Sequence, residues 1–78
     1  MIQTIKILNG FNIDVFRRTS DQYIIVWPGG DIAFLSRDDT KLLAAELINA
    51  VRWEGRTVAE YQEDFFRLNP NRTLTTIY

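Results

Sequence analysis

The chain has 78 residues, of which 46% are apolar and 13% aromatic, and its formal net charge is −1. This composition predicts one domain over residues 1–78 with a packed core, and it excludes a general electrostatic footprint for nucleic acid or for an anionic membrane. The chain has no cysteine or histidine, which excludes disulfides, thiolate chemistry and zinc sites built from those residue types.

The first two predicted strands form a hairpin around Asn9-Gly10. Apolar and polar residues alternate on both sides of this turn, a pattern typical of half-buried strands. A three-residue loop, residues 8–10, keeps the apolar side chains on one face, whereas a two-residue loop splits them between faces. We therefore predict a positive φ at Gly10 and a pairing of Lys6 with Asn12. The alternating apolar residues are Ile5, Ile7, Phe11, Ile13 and Val15.

Two further strands follow a polar connection. Tyr23 to Trp27 is apolar at every position, which predicts a central strand covered on both faces. Pro28-Gly29-Gly30 predicts a tight turn, because proline presets the first central dihedral and glycine accepts the positive one. Asp31 to Leu35 is the fourth predicted strand.

Two helices are predicted after the strands. Ser36 with Asp39, and Thr57 with Glu60, have the spacing of helix-starting caps. Gly55 is predicted to end the first helix. The apolar stripe of the first helix consists of Leu43, Ala44, Leu47, Ile48 and Val51, and that of the second consists of Val58, Tyr61, Phe65 and Leu68.

The order of elements predicts an α+β fold, in which an antiparallel four-stranded meander is followed by two helices. Asn69-Pro70 ends the second helix. Residues 71–78 are rich in threonine, which predicts either a C-terminal edge strand or a frayed tail.

The predicted sheet has more apolar side chains than two helices can cover. With a four-residue loop between the second and third strands, one face carries Ile13, Val15, Ile24, Val26, Ala33 and Leu35. The opposite face then carries Phe16, Tyr23, Ile25, Trp27, Ile32 and Phe34. Monomers rarely leave such a patch in water, so we predict a contact with another chain there. The alternatives are a C-terminal segment folded over the patch, or a different register.

The candidate partner-binding residues lie on this second face. Tyr, Trp and Arg are the residue types that most often anchor interfaces. Tyr23, Trp27 and Phe34 are the predicted contacts, and Arg17 and Arg18 are placed at the rim, where they would tune the encounter electrostatically.

The residues do not predict an enzyme, a metal site or a cofactor. Ser20 and Ser36 are the only serines, and without His or Cys the usual nucleophile–base pairs are absent. The carboxylates at 38, 39, 60, 63 and 64 offer a divalent-metal site as an alternative, but acids near helix starts are favoured there by the helix dipole. The turn at 28–30 lacks the spacing of a phosphate-binding loop.

The segment Ile32 to Leu47 resembles a strand–cap–helix unit common in small uncharacterised bacterial and phage proteins. In its size, acidity and sheet-plus-helix plan, the chain is also similar to phage-encoded host-takeover proteins such as anti-CRISPR inhibitors. This resemblance implies a binding role rather than a catalytic one, carried out in the host cytoplasm.

The leading prediction is a non-enzymatic protein-binding module, such as a phage or mobile-element inhibitor or a small regulator. Its partner would be another protein or a second copy of itself. The alternative is a nucleic-acid-binding regulator that uses the same arginine and aromatic face. The N-terminus has no signal-peptide pattern and no apolar run could cross a bilayer, so the expected location is cytoplasmic, away from membranes.

Overall fold

The structure is a computed structural model that describes residues 2–70 and 73–74, with side chains from residue 5 to residue 70. It is an α+β fold with a three-stranded antiparallel meander and three α-helices. In chain order these elements are α1 (Ile2–Asn9), β1 (Asp14–Arg17), β2 (Gln22–Val26), β3 (Ile32–Ser36), α2 (Arg37–Ile48) and α3 (Val58–Leu68). A π-helical turn, Asn49–Trp53, extends α2.

The predicted first strand is wrong, because this segment forms helix α1. Isoleucine and threonine favour a strand locally, but Leu8 becomes fully buried in the core as part of a helix, and this packing outweighs the local preference. The predicted hairpin is therefore absent. Gly10 is not in the left-handed region; the chain reverses instead at Asn12, with φ 63°. The backbone N–H of Ile13 donates to the carbonyl of Leu8 at 3.0 Å and directs the chain into β1.

Strands β1 and β2 pair in a register that differs from the predicted one. Arg17 lies opposite Tyr23, whereas a four-residue loop would place it opposite Gln22. The N–H groups of Arg18 and Thr19 both donate to the carbonyl of Gln22, at 2.8 and 3.1 Å, so one extra residue is taken into the connection. A shift of one residue moves every side chain of a strand to the other face.

The turn between β2 and β3 forms as predicted. Gly29 and Gly30 have φ values of 95° and 96°, a region that glycine enters without steric cost. The register differs from the predicted one, however, because Val26 lies opposite Ile32 and not on the face of Ala33. Beside β3, the two-residue strand Thr73–Leu74 pairs antiparallel with Ile32 and Ala33, and the rest of the predicted C-terminal strand lies outside the described residues.

The helix starts follow the predicted caps. Ser36 Oγ accepts a hydrogen bond from the backbone N–H of Asp39 at 3.1 Å. Thr57 and Glu60 form a reciprocal capping box, with distances of 2.9 and 3.1 Å. Gly55, with φ 70°, ends the helical segment just after the π-helical turn. Each cap satisfies backbone N–H groups that a helix leaves without partners.

The core lies between one sheet face and the helices, and Trp27 is its largest fully buried side chain. The Trp27 ring lies 6.3, 5.3 and 5.7 Å from the rings of Tyr61, Phe65 and Phe66 on α3. These offset and edge-on contacts fix α3 against the end of β2. Leu68, predicted to share this helix face, is 71% exposed.

Replacing Trp27 tests this anchor. Trp27→Ala should lower the unfolding free energy by roughly 3–5 kcal/mol, because it leaves a cavity among three aromatic rings. Trp27→Phe should cost clearly less, since it keeps a ring and since Trp27 Nε1 has no hydrogen-bond partner among the described residues. Urea unfolding of both variants measures the difference, and equal losses would show that ring packing does not hold α3 in place.

Candidate functional site

Five apolar side chains form the sheet face turned away from the core. We call this set, Phe16, Ile24, Val26, Ile32 and Phe34, the open face. Phe16 is 55% exposed and Phe34 is 38% exposed, and the three aliphatic residues are half-buried. Strand pairing aligns Phe16, Ile24 and Phe34 in one row across the sheet, and places Val26 beside Ile32 in the next row.

The open face is continuous because its members are direct cross-strand neighbours. Paired strands lie about 4.8 Å apart, so side chains in one row touch each other. The helices pack on the other side, where Ile25, Ala33 and Leu35 are buried. An exposed apolar surface of this kind, with two phenylalanine rings, is typical of interaction sites.

One anion flanks this surface on the β1 side, and one cation reaches over it from the end of β1. Arg18 places its Cζ atom 5.7 Å from the centre of the Phe34 ring, a cation–π geometry. Asp14 is exposed and shares the face of Phe16, because alternate residues of a strand point the same way. Arg17 has the opposite orientation along β1, and its Nε donates to the carbonyl of Thr19 at 3.4 Å.

Tyr23 and Trp27 do not lie on an exposed face, so their predicted placement is wrong. They are 2% and 1% exposed, and they belong to the core together with Ile25. The cause is that β2 is shifted by one residue relative to both neighbours: Arg17 pairs with Tyr23 and Ile25 pairs with Ala33, which turns Tyr23, Ile25 and Trp27 to the helix side. Phe34 lies on the open face, as predicted, and Arg18 reaches over it, whereas Arg17, also predicted at the rim, is oriented to the other side of β1.

Two members of the open face, Ile24 and Val26, were assigned by sequence reasoning to the covered face. The signal that could have placed them is Thr19, a residue type that closes local turns with its hydroxyl. Thr19 Oγ1 accepts from the N–H groups of Asp21 and Gln22, at 3.3 and 3.1 Å, and so stabilises the longer connection.

A polar cluster joins α3 to the end of α2. The hydroxyl of Tyr61 donates to Glu46 Oε1 at 3.1 Å, and Asp64 accepts from both Arg56 and Arg67. Burial, followed by the Glu46 carboxylate, raises the pKa of Tyr61 well above its usual range. Hydrogen bonds from Arg56 and then Arg67 lower the pKa of Asp64. Both shifts move the pKa of the group farther from neutral pH, so this cluster is suited to fixing α3 rather than to proton transfer.

A shallow groove lies between α1 and the π-helical turn. It encloses about 370 Å³ and has both apolar and basic lining residues. Beyond it, at the end of the π-helical turn, Trp53 is 81% exposed. The lining consists of Lys6, Ile7, Gly10, Phe11, Ile48, Val51 and Arg52.

Comparison with protein-family models, curated proteins and solved structures found no match for the chain. Within residues 2–70 and 73–74, no group of three acidic side chains is placed to hold a metal ion. No helix in the same part of the chain is long and apolar enough to cross a membrane. The function of the chain therefore has to be inferred from the geometry of the open face.

The Asp64 cluster predicts a pH dependence of stability. A depressed carboxyl pKa stabilises the folded state at pH values above the unfolded pKa, and this contribution is lost as the pH falls through the folded pKa. Asp64→Asn should therefore make the unfolding free energy less sensitive to pH below about 4. At neutral pH the variant should lack this same contribution, which is small because both partners of the Arg56–Asp64 pair are partly exposed to solvent.

Urea unfolding across this pH range measures the effect. Glu63→Gln is the matched control, because Glu63 is an exposed carboxylate on the same helix outside the cluster. An identical pH response in the two variants would contradict the role given to Asp64.

Proposed function

We propose that this protein is a non-enzymatic binding module that docks a partner protein through the open face. The observation that carries the proposal is the exposed row of Phe16, Ile24 and Phe34, which extends across all three strands of the meander. Burying this row against a partner would remove two aromatic rings from water, a strong driving force for association.

The chemistry of the open face favours protein over nucleic acid. Protein surfaces that bind single-stranded DNA or RNA combine several cations with aromatic rings on which bases stack. Here Arg18 is the cation seen over the face, Asp14 adds a negative charge, and the middle of the surface is aliphatic. A partner protein with an apolar patch flanked by opposite charges fits this surface better.

The absence of His and Cys from the sequence supports a binding role rather than a catalytic one. The buried polar side chain among the described residues is Thr40, whose hydroxyl donates to the carbonyl of Ser36 at 2.8 Å and so serves the start of α2. A module of this size would act by covering a surface of its partner, as an inhibitor or a small regulator. This role is also what the similarity to phage host-takeover proteins implies.

Photo-crosslinking in cells tests the proposal, because it captures whatever molecule lies on the open face. The photoreactive residue p-benzoylphenylalanine replaces Phe34 in one variant and Leu42 in another, and each is irradiated in cells that express the chain. Leu42 is the matched control, because it is a 60% exposed apolar residue on α2, outside the open face. We expect a polypeptide adduct from position 34 and a much weaker one, or none, from position 42.

Gel mobility and mass spectrometry identify the adduct. Equal adducts from both positions would overturn the open face as the site, and so would no adduct from position 34. An adduct from position 34 to nucleic acid would replace the proposal with the nucleic-acid alternative.

A further inference from the structure

We propose that the partner of the open face is a second copy of this chain, packed face to face about a two-fold axis that passes over Phe16. The inference rests on the proposed function and names its partner. Two observations carry it: the arrangement of opposite charges around Phe16, and the central apolar row, which the same symmetry lays on its equivalent.

The charges on β1 are self-complementary. Asp14 lies two residues before Phe16 and Arg18 lies two residues after it, on the same face. An axis lying in the interface at right angles to the strands reverses β1 about Phe16. It therefore places Asp14 of each copy opposite Arg18 of the other, at about 6–7 Å on either side of the axis.

The central apolar row obeys the same symmetry, whereas Val26 and Ile32 come to lie opposite Gln22 and Ser36 of the other copy. The row of Phe16, Ile24 and Phe34 lies along the axis, so each copy lays this row on its equivalent. Packed sheets are separated by about 10 Å, a gap that phenylalanine and isoleucine side chains from both sides can fill. At the rim, a long arginine and a short aspartate together reach across that gap.

Both charged residues are available for this contact. The ion pairs among the described residues join Asp64 to Arg56 and to Arg67, and neither Asp14 nor Arg18 takes part in them. Arg18 contacts the Phe34 ring and is exposed. Two ion pairs would therefore form in the dimer, in which each Arg18 exchanges its contact with the Phe34 ring for Asp14 of the other copy.

The size of the open face sets the strength of the dimer. Three strands and two rows of side chains offer less than the roughly 800 Å² per partner that a standard interface buries. We therefore expect reversible association, with a dissociation constant on the order of micromolar to tens of micromolar.

Charge reversal and mixing provide the central test, followed by sedimentation velocity over a concentration series. In a dimer of the Asp14→Arg variant, an arginine faces an arginine at both rim contacts. In a dimer of the Arg18→Asp variant, an aspartate faces an aspartate at both. Each variant alone should therefore dimerise roughly tenfold more weakly or worse. An equimolar mixture of the two should regain wild-type affinity, because both rim contacts in the mixed dimer become attractive.

A second pair of variants separates the proposed dimer from a competing arrangement. Edge-to-edge pairing of β1 with its copy, centred on Phe16, would bring the same charges together. Phe34 lies on β3, two strands away from that edge. Phe34→Ser should weaken the face-to-face dimer at least tenfold, while the control Leu42→Ser leaves it unchanged, with circular dichroism confirming the fold of both.

Three results would overturn the inference. These are a wild-type protein that is monomeric at about millimolar concentration, single charge reversals whose mixture does not recover association, and a dimer unaffected by Phe34→Ser. A monomeric protein whose position 34 still crosslinks to a different polypeptide would refute the second copy but leave the proposed function standing.

Discussion

The register of β2 between its two neighbours decides which side chains of the sheet form the core. Because the side chains of a strand alternate, the pairing of Tyr23 with Arg17 and of Ile25 with Ala33 turns Tyr23, Ile25 and Trp27 towards the helices. Ile24 and Val26 are turned the other way. Everything that packs on the sheet, from the aromatic rings of α3 to the buried stripe of α2, depends on that choice.

The same choice creates the open face. Strand β2 is apolar at four of its five positions, Gln22 being the exception, and so one set of its apolar side chains must lie outside the core. A short chain with one layer of helices has enough apolar surface to cover one side of its sheet well. The two faces differ in character, because the covered one holds the tryptophan and the small alanine that close packing requires. The open one holds phenylalanine and branched aliphatic side chains flanked by two charges.

The polar interactions also differ between the two sides of the sheet. On the helix side they fix geometry: the Thr57–Glu60 box starts α3, and Asp64 joins Arg56 to Arg67. On the sheet side, Asp14 and Arg18 are outside these ion pairs, and Arg18 lies over the Phe34 ring. Charges of opposite sign on either side of one aromatic residue give orientation to a surface that is otherwise apolar.

Much of the fold could be predicted from the sequence where the physics is local. The caps at Ser36 and Thr57, the turn at Gly29 and the stop at Gly55 were predicted correctly, because each depends on a few adjacent residues. Helix α1 was missed because strand preference and helical packing compete there, and the packing partners are distant in sequence. The candidate site was predicted in part. An apolar second face was expected, and Phe34 and Arg18 do lie on it. Tyr23 and Trp27 do not, because β2 is shifted by one residue relative to both β1 and β3. Such a shift depends on backbone hydrogen bonds in the two connections, which the alternation of apolar residues does not encode.

The exposure of neighbouring isoleucine methyl groups tests this account most directly. Solvent paramagnetic relaxation enhancement of labelled isoleucine methyls, measured on dilute protein, compares the two faces residue by residue. The account predicts strong enhancement at Ile24 and Ile32 and weak enhancement at Ile13 and Ile25, which are fully buried. Strong enhancement at Ile25 with protection of Ile24 would contradict the register, and with it the open face.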